Sequence, residues 1–198
     1  MKPPTPTLAF VTLGCPKNTV DSEHMLGLLL EAGFRTVADP AEADVAVVNT
    51  CGFLQSAVRE SRAVIAGLLE GKERGGPRRV IVAGCLAQRV AGELLEEFPG
   101  VDAVLGTGRW NEVARVAARL LEDGRERPLL VGEPGGALAS SAPRPLSTPP
   151  HLAYLKVSEG CDQRCSFCVI PRLRGRQRSR PLAALVAAAR RLAAGGVR

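Results

Sequence analysis

The chain is poor in histidine and in long apolar runs, and each shortage narrows the classes of protein it can belong to. Only His24 and His151 occur among 198 residues, and neither lies at ligand spacing from a cysteine pair, as zinc loops usually require. No stretch approaches the roughly 20 apolar residues of a membrane span. The apolar run 8–13 is too short for a signal-peptide core. We therefore expect a cytoplasmic protein with no membrane partner, whose cysteines bind metal or carry out redox work.

Three of the six cysteines form a tight triplet, in which Cys161, Cys165 and Cys168 have the spacing C-x3-C-x2-C. Three thiolates on one short loop can hold three corners of a cubane 4Fe–4S cluster and leave the fourth iron open. Electron-transfer clusters take four cysteines, so the triplet indicates chemistry at an open iron. The alternatives are a zinc knuckle completed by a distant ligand, or three unrelated structural thiols.

Residues 8–122 alternate short apolar runs with amphipathic helical stretches. The runs predict strands at 8–13, 45–48, 80–83 and 102–105. Helical stripes follow them, one ending near residue 33, the others at about 54–69, through 94–95 and at about 110–121. Continuously apolar strands between amphipathic helices predict an α/β fold with a parallel sheet covered on both faces.

The other three cysteines, Cys15, Cys51 and Cys85, each follow the end of a predicted strand and have a glycine beside them. The carboxyl ends of parallel strands meet in one crevice, where ligands bind. Glycine lets the backbone approach a bulky ligand closely. We therefore predict a second three-thiolate site, again an iron–sulfur cluster with an open iron. The alternative is that three small buried residues coincide by chance.

The chain divides into a sheet domain over residues 1–125, a linker over 126–150 rich in glycine, proline and serine, and a segment over 151–198. The last segment predicts a strand at 151–158, the cysteine loop, and a helix from Pro181 to Ala194. A strand, a loop and one helix cannot form an independent domain, so we expect the segment to be the truncated start of a larger one.

Positive charge is concentrated at the end of the chain. Residues 131–198 carry eleven basic and three acidic side chains, whereas residues 1–130 carry 15 and 17. Such a surface attracts nucleic acid, a ribosomal surface or an anionic cofactor. Five arginines occupy every second position over 172–180. If this segment is extended, their side chains share one face; the alternative is a solvated loop. Among them, Arg174 and Arg180 are the best candidates for a specific role.

These motifs together resemble the radical S-adenosylmethionine (SAM) methylthiotransferases, over nearly all of the chain. The stretches that carry the resemblance are 13–18 (LGCPKN), 21–23 (DSE), 48–53 (VNTCGF), 83–88 (AGCLAQ), 154–161 (YLKVSEGC), 168–171 (CVIP), 174–175 (RG) and 179–181 (SRP). The residues after Gly14 and around Cys51 resemble the branch that modifies an aspartate of ribosomal protein S-twelve, rather than the tRNA branch.

The resemblance implies a role for each motif. Cys161, Cys165 and Cys168 would bind the 4Fe–4S cluster that chelates SAM, with Phe167 packing near the cofactor. The auxiliary 4Fe–4S cluster, which presents the sulfur to be inserted, would be held by Cys15, Cys51 and Cys85. Residues 1–125 would be the methylthiotransferase domain, and 151–198 the start of a partial β/α barrel.

The expected partners are ribosomal protein S-twelve as substrate and a reducing electron donor, with the protein a monomer. Because the rest of the barrel and a substrate-binding β-barrel would be absent, we expect no activity from this chain alone. Two alternatives are methylthiolation of tRNA, which the basic final third favours, and a plain iron–sulfur electron carrier.

Overall fold

A sheet of parallel strands organises the first two-thirds of the molecule. Within the residues that the computed structural model describes (5–123, 126–136, 138–139 and 142–198), it has six strands. They are β1 (Thr7–Thr12), β2 (Arg35–Thr36), β3 (Val45–Thr50), β4 (Arg79–Gly84), β5 (Ala103–Leu105) and β6 (Leu129–Leu130), in the spatial order β2-β1-β3-β4-β5-β6. Every neighbouring pair is parallel. The predicted α/β class with a parallel sheet is confirmed.

Four helices cover the two faces of this sheet: α1 (Pro16–Glu31), α2 (Gln55–Glu73), α3 (Cys85–Glu97) and α4 (Val113–Glu122). All six residues of β3 are buried. Val45 and Val47 pack on the side of α1 and α4, and Ala46 and Val48 pack on the side of α2 and α3. Side chains alternate between faces along a strand, so a strand with helices on both sides must be apolar throughout.

The final segment contains short elements: β7 (Ser158–Glu159), α5 (Ile170–Arg174), β8 (Arg178–Ser179) and α6 (Leu182–Ala194). The helix predicted from Pro181 to Ala194 is confirmed. The strand predicted over 151–158 is wrong in extent, since only Ser158 belongs to a strand, in an antiparallel pair with β8. The apolar alternation misleads here because the charged Lys156 is buried and Val157 is 52% exposed. The partial β/α barrel stays a prediction.

The segment predicted as a linker lies against the sheet domain. Its start contributes β6, and a Cβ at Gly27 of α1 would lie 2.1 Å from the carbonyl oxygen of Pro143. Glu23 accepts hydrogen bonds from the backbone N–H and the hydroxyl of Ser147, at 2.8 and 2.9 Å. Residues 124, 125, 137, 140 and 141, which include the predicted boundary at 125, lie outside the described residues. No helix in the described part of the chain is long and apolar enough to span a membrane.

Candidate metal centres

Cys15, Cys51 and Cys85 stand at the carboxyl ends of three neighbouring strands. Cys15 lies three residues beyond β1 and caps the amino terminus of α1, Cys51 directly follows β3, and Cys85 directly follows β4 as the first residue of α3. In the sheet, β3 lies between β1 and β4. The fold therefore brings the three residues to one edge of the sheet.

The glycines beside these cysteines let the three loops approach one another. A Cβ at Gly14, whose φ is +96°, would lie 2.8 Å from Cβ of Cys51 and 3.1 Å from its Sγ. A Cβ at Gly52 would lie 2.7 Å from the carbonyl oxygen of Cys85. The close approach that sequence reasoning assigned to a ligand is thus first an approach between the cysteine segments themselves.

The helix termini and the burial of these thiols have opposite effects on a negative charge at this edge. The amino termini of α1 and α3 both face this edge, and helix amino termini favour negative charge. Cys51 and Cys85 are buried and Cys15 is exposed. Burial raises the pKa of the Cys85 thiol to about 11, against the opposing charge and hydrogen bond of Arg174.

The candidate donors at this edge are the thiols of Cys15, Cys51 and Cys85. No three His, Cys, Asp or Glu side chains among the described residues are close enough together to hold one metal ion. A cubane cluster binds each thiolate at a different iron, so its ligands are more widely spaced. Three thiols are the number and type of protein ligand that a cubane cluster with one open iron takes.

Cys161, Cys165 and Cys168 lie on the loop between β7 and α5, which contains no helix or strand of its own. The Cys161 N–H donates to the carbonyl oxygen of Gly175 at 3.0 Å and closes the base of the loop. Cys165 is exposed, and the other two are partly exposed. Cys165, Phe167 and Cys168 are among the residues lining a cavity of about 450 Å³. The Phe167 ring is 90% exposed, so the loop presents an apolar side chain beside its thiols.

A buried network of charges joins this loop to the sheet domain. The Arg174 guanidinium, at the end of α5, donates to Asp21 and Asn18 of α1 and, at 3.2 Å, to Glu159. Lys156 donates to Asp21 and, at 2.9 Å, to the same oxygen of Glu159. All four charged residues are at most 6% exposed. Two cations and two carboxylates thus neutralise one another at a site where water does not solvate their charges.

The pKa values of the network reflect this pairing. Burial by itself would raise the pKa of Glu159, but Arg174 and Lys156 outweigh burial and lower it to about 2. Burial would likewise lower the pKa of Arg174, and the charges of Asp21, Cys85 and Glu159 raise it instead. Both groups are therefore held in their charged forms.

Sequence reasoning found the cysteines of both groups but missed most of this network. Asn18, Asp21, Lys156 and Glu159 all lie inside the stretches that carry the family resemblance, which was the available signal. Their charge gave no sign of burial, because the network is completed by a partner in a distant helix: Asp21 is 135 residues from Lys156 and 153 from Arg174.

Residues 172–180 do not form the extended segment in which the five arginines would share one face, which was one of the two arrangements that the sequence left open. Helix α5 and the turn at Gly175 break the alternation. Arg174 is buried with specific partners, as expected, whereas Arg176 is exposed and pairs with Asp162. Arg178 donates to the carbonyl oxygen of Gly136 at 2.9 Å. The Arg180 guanidinium donates to the Lys156 carbonyl oxygen at 3.3 Å, and its backbone N–H donates to the Val157 carbonyl oxygen at 2.9 Å.

The fold and these two sites define a class of protein: a parallel α/β domain with cysteines at three neighbouring strand ends, joined through buried ion pairs to a second cysteine loop. A family model described as "Uncharacterized protein family UPF0004" matches residues 7–106, about half of the chain and nearly all of the sheet. The chain belongs to this family.

Curated relatives extend the similarity over almost the whole chain. The chain is 54% identical to "Ribosomal protein uS12 methylthiotransferase RimO" of Anaeromyxobacter sp. (strain K). The aligned 185 residues make up 93% of this chain and 39% of that protein. Proteins of the same name from Pelotomaculum thermopropionicum and Synechocystis sp. are 49% and 45% identical, over 96% and 98% of this chain and 43% and 42% of theirs. The predicted resemblance is confirmed. The chain spans about two-fifths of the length of these relatives.

Proposed function

We propose that this chain is part of a radical SAM methylthiotransferase that adds a methylthio group to the β-carbon of an aspartate in ribosomal protein S-twelve. The observation that carries the proposal is the presence of two separate cysteine triplets, one at a sheet edge and one on an adjoining loop. The names of the relatives support the reaction and its substrate.

Each triplet has its own task in this proposal. Cys161, Cys165 and Cys168 would hold the cluster that binds SAM, and Cys15, Cys51 and Cys85 would hold the auxiliary cluster. When bound, the first supplies the electron that cleaves SAM to methionine and a 5′-deoxyadenosyl radical, and the second supplies sulfur. A second SAM would supply the methyl group.

The protein's own residues provide position and exclusion of water. The sheet edge fixes three thiols through three neighbouring paired strands, of which β3 and β4 are almost wholly buried, so the spacing of the thiols depends on the core. The second loop is held at its base by the Cys161–Gly175 hydrogen bond and by the adjacent ion pairs. Phe167 offers an apolar surface on which an adenosyl group could pack, beside the thiols.

A cytoplasmic location and a monomeric state remain part of the proposal. All six cysteines are free thiols, as metal-binding cysteines in a reducing compartment are. We also propose that the 198-residue chain is inactive by itself, because it spans about two-fifths of the length of the relatives. The electron donor would be a partner protein or a chemical reductant of low potential.

The test uses a protein that contains this chain and extends over the full length of the relatives. It is incubated anaerobically with SAM, a strong reductant and either ribosomal protein S-twelve or tRNA. We expect methylthio-aspartate in the ribosomal protein and 5′-deoxyadenosine in solution. Alanine at Cys15, Cys51 and Cys85 should abolish methylthiolation but leave SAM cleavage, because only the auxiliary site is lost.

Three results would contradict the proposal. Product on tRNA alone would identify the substrate as nucleic acid. The absence of 5′-deoxyadenosine, together with electron paramagnetic resonance (EPR) signals indifferent to SAM, would indicate an electron carrier. Methylthio-aspartate formed by the 198-residue chain alone would overturn the proposed inactivity.

A further inference from the structure

One contact in the buried network crosses from the second cysteine loop to the first site. Nε of Arg174 lies 3.2 Å from Sγ of Cys85 and donates a hydrogen bond to it. Arg174 ends the helix that follows Cys168, whereas Cys85 begins the helix after β4. Both residues are buried, with Arg174 4% and Cys85 6% exposed.

We infer that Arg174 is a positioning residue that holds the Cys85 sulfur through its Nε–H and raises the reduction potential of the cluster at Cys15, Cys51 and Cys85. This inference rests on the proposed function, since it requires a cluster at that site. It adds a specific residue, supplied by the loop of one triplet, to the environment of the other.

The orientation of the Arg174 guanidinium is fixed by three other acceptors. Asp21 and Glu159 accept from one terminal nitrogen and Asn18 accepts from the other, so Nε–H is left for the sulfur. A planar group held at three points cannot swing away without breaking buried charge-assisted bonds. Lysine carries the same charge but lacks this fork.

Two physical effects give the expected change the same sign. Hydrogen bonds to cluster sulfur, like positive charge nearby, stabilise the more negative reduced state and raise the reduction potential. Burial strengthens both effects, because no water screens the guanidinium from the thiolate. Loss of the Arg174 side chain should therefore make the cluster harder to reduce.

A purely structural role for Arg174 would give a different result. In that case the residue would only neutralise Asp21 and Glu159, and its replacement would change stability but not the potential of any cluster that still assembled. The experiment must therefore measure potential on protein that retains its iron.

The test uses the 198-residue chain with alanine at Cys161, Cys165 and Cys168, which leaves only the sheet-edge thiols. After anaerobic reconstitution with iron and sulfide, the midpoint potential is measured by an EPR-monitored redox titration. Arg174→Gln, Arg174→Lys and the matched control Arg176→Gln are compared with the parent. We expect a more negative potential for both Arg174 variants, with the larger shift for glutamine, and no shift for Arg176→Gln.

The loss of Arg174 could also weaken folding, so two further measurements keep the inference testable. The double variant Asp21→Asn/Arg174→Gln removes one charge of each sign, so it should keep a negative shift from the lost hydrogen bond that is smaller than the shift of Arg174→Gln alone. Hyperfine spectroscopy of the parent should detect a deuterium-exchangeable proton coupled to the cluster, and Arg174→Lys should lose it.

The outcomes separate this inference from the proposed function. A full complement of iron with an unchanged potential and an unchanged exchangeable proton in the Arg174 variants would overturn the role of Arg174. A parent that binds no cluster, or binds it equally well after Cys85→Ala, would instead overturn the proposed function.

Discussion

The two cysteine groups are positioned in opposite ways. At the sheet edge, residues far apart in the chain are brought together by β1, β3 and β4, and two of the three thiols are buried. On the second loop, residues a few positions apart are held by the short spacing itself, and Phe167 projects 90% exposed. The sheet-edge site depends on the packing of the whole sheet, whereas the second site depends on one short loop. Substitutions near the sheet edge should therefore change stability more than substitutions at the exposed end of the loop.

The largest expected effect on stability comes from the buried charge network that connects the second cysteine loop to the sheet domain. Lys156→Met removes one of the two buried cations that the described residues place beside Asp21 and Glu159, leaving Arg174 and the partly exposed Lys17, and we expect a loss of about 3–5 kcal/mol in the free energy of unfolding. Urea denaturation of the 198-residue chain measures it. Arg176→Gln, which breaks an exposed ion pair two residues beyond Arg174, should cause no measurable change. A loss below about 1 kcal/mol for Lys156→Met would show that the charge network does not hold the second cysteine loop against the sheet domain.

The second prediction addresses the sheet edge alone. Gly84 has φ +96°, and a Cβ there would lie 2.2 Å from Oδ1 of Asn49 and 2.7 Å from the Thr50 carbonyl oxygen. Gly84→Ala should therefore destabilise the chain by about 2–3 kcal/mol. The control, Gly92→Ala in α3, meets nothing within 4 Å and should be neutral or stabilising by up to about 1 kcal/mol. Equal thermal melting of the two variants would contradict the close packing of the cysteine loops.

The third prediction is that the stability of the chain depends on pH through His24, a buried residue of α1. Burial lowers the pKa of His24 to about 4, with help from Arg144, Lys156 and Arg180 and against Asp21. The unfolded chain binds a proton at His24 near pH 6.5 and the folded chain does not, so stability falls as the pH drops from 7 towards 4. We expect this residue to account for about 2 kcal/mol of lost stability between pH 7 and pH 5.

His24→Phe tests this linkage, because a phenyl ring can keep the stacking on Trp110, whose ring centroid lies 5.6 Å from that of His24. The variant should show a flatter dependence of unfolding free energy on pH than the parent. Parallel curves for the two proteins would mean that His24 titrates normally in the folded chain.

The smallest expected effect on stability belongs to the exposed loop. Phe167→Ala should change the free energy of unfolding by less than about 0.5 kcal/mol, because the ring contacts little of the folded chain. In the full-length reconstituted protein, however, it should weaken the change that SAM causes in the EPR spectrum. A stability loss above about 1 kcal/mol would show that the ring packs in the fold rather than towards a cofactor.

The sheet domain could be predicted from the sequence better than the segment that carries the second cysteine loop. Strands β3, β4 and β5 were predictable because strands buried on both faces are continuously apolar. Strand β1, in which only Leu8 and Ala9 are buried, gave the same signal through its apolar run. The two-residue strands β2 and β6 are too short to leave a periodic signal. From these strands and the position of the adjoining cysteines, the convergence of Cys15, Cys51 and Cys85 on one edge could be inferred.

The second region was predicted less well, although its cysteine spacing is the plainest motif in the chain. Lys156 and Arg174 look like surface residues in the sequence, and their burial depends on Asp21 in a distant helix. The five-residue α5 also interrupts an arginine alternation that suggested an extended segment. Local patterns could not reveal the burial of Lys156 and Arg174, because Asp21 is more than a hundred residues away from both.

The most direct test of the account is an iron and acid-labile sulfide count on the anaerobically reconstituted 198-residue chain and two triple variants. Two independent three-thiolate sites predict about eight irons and eight sulfides per parent chain. Alanine at Cys15, Cys51 and Cys85, or at Cys161, Cys165 and Cys168, should each leave about four of both. An unchanged count in either triple variant would contradict the existence of two separate sites.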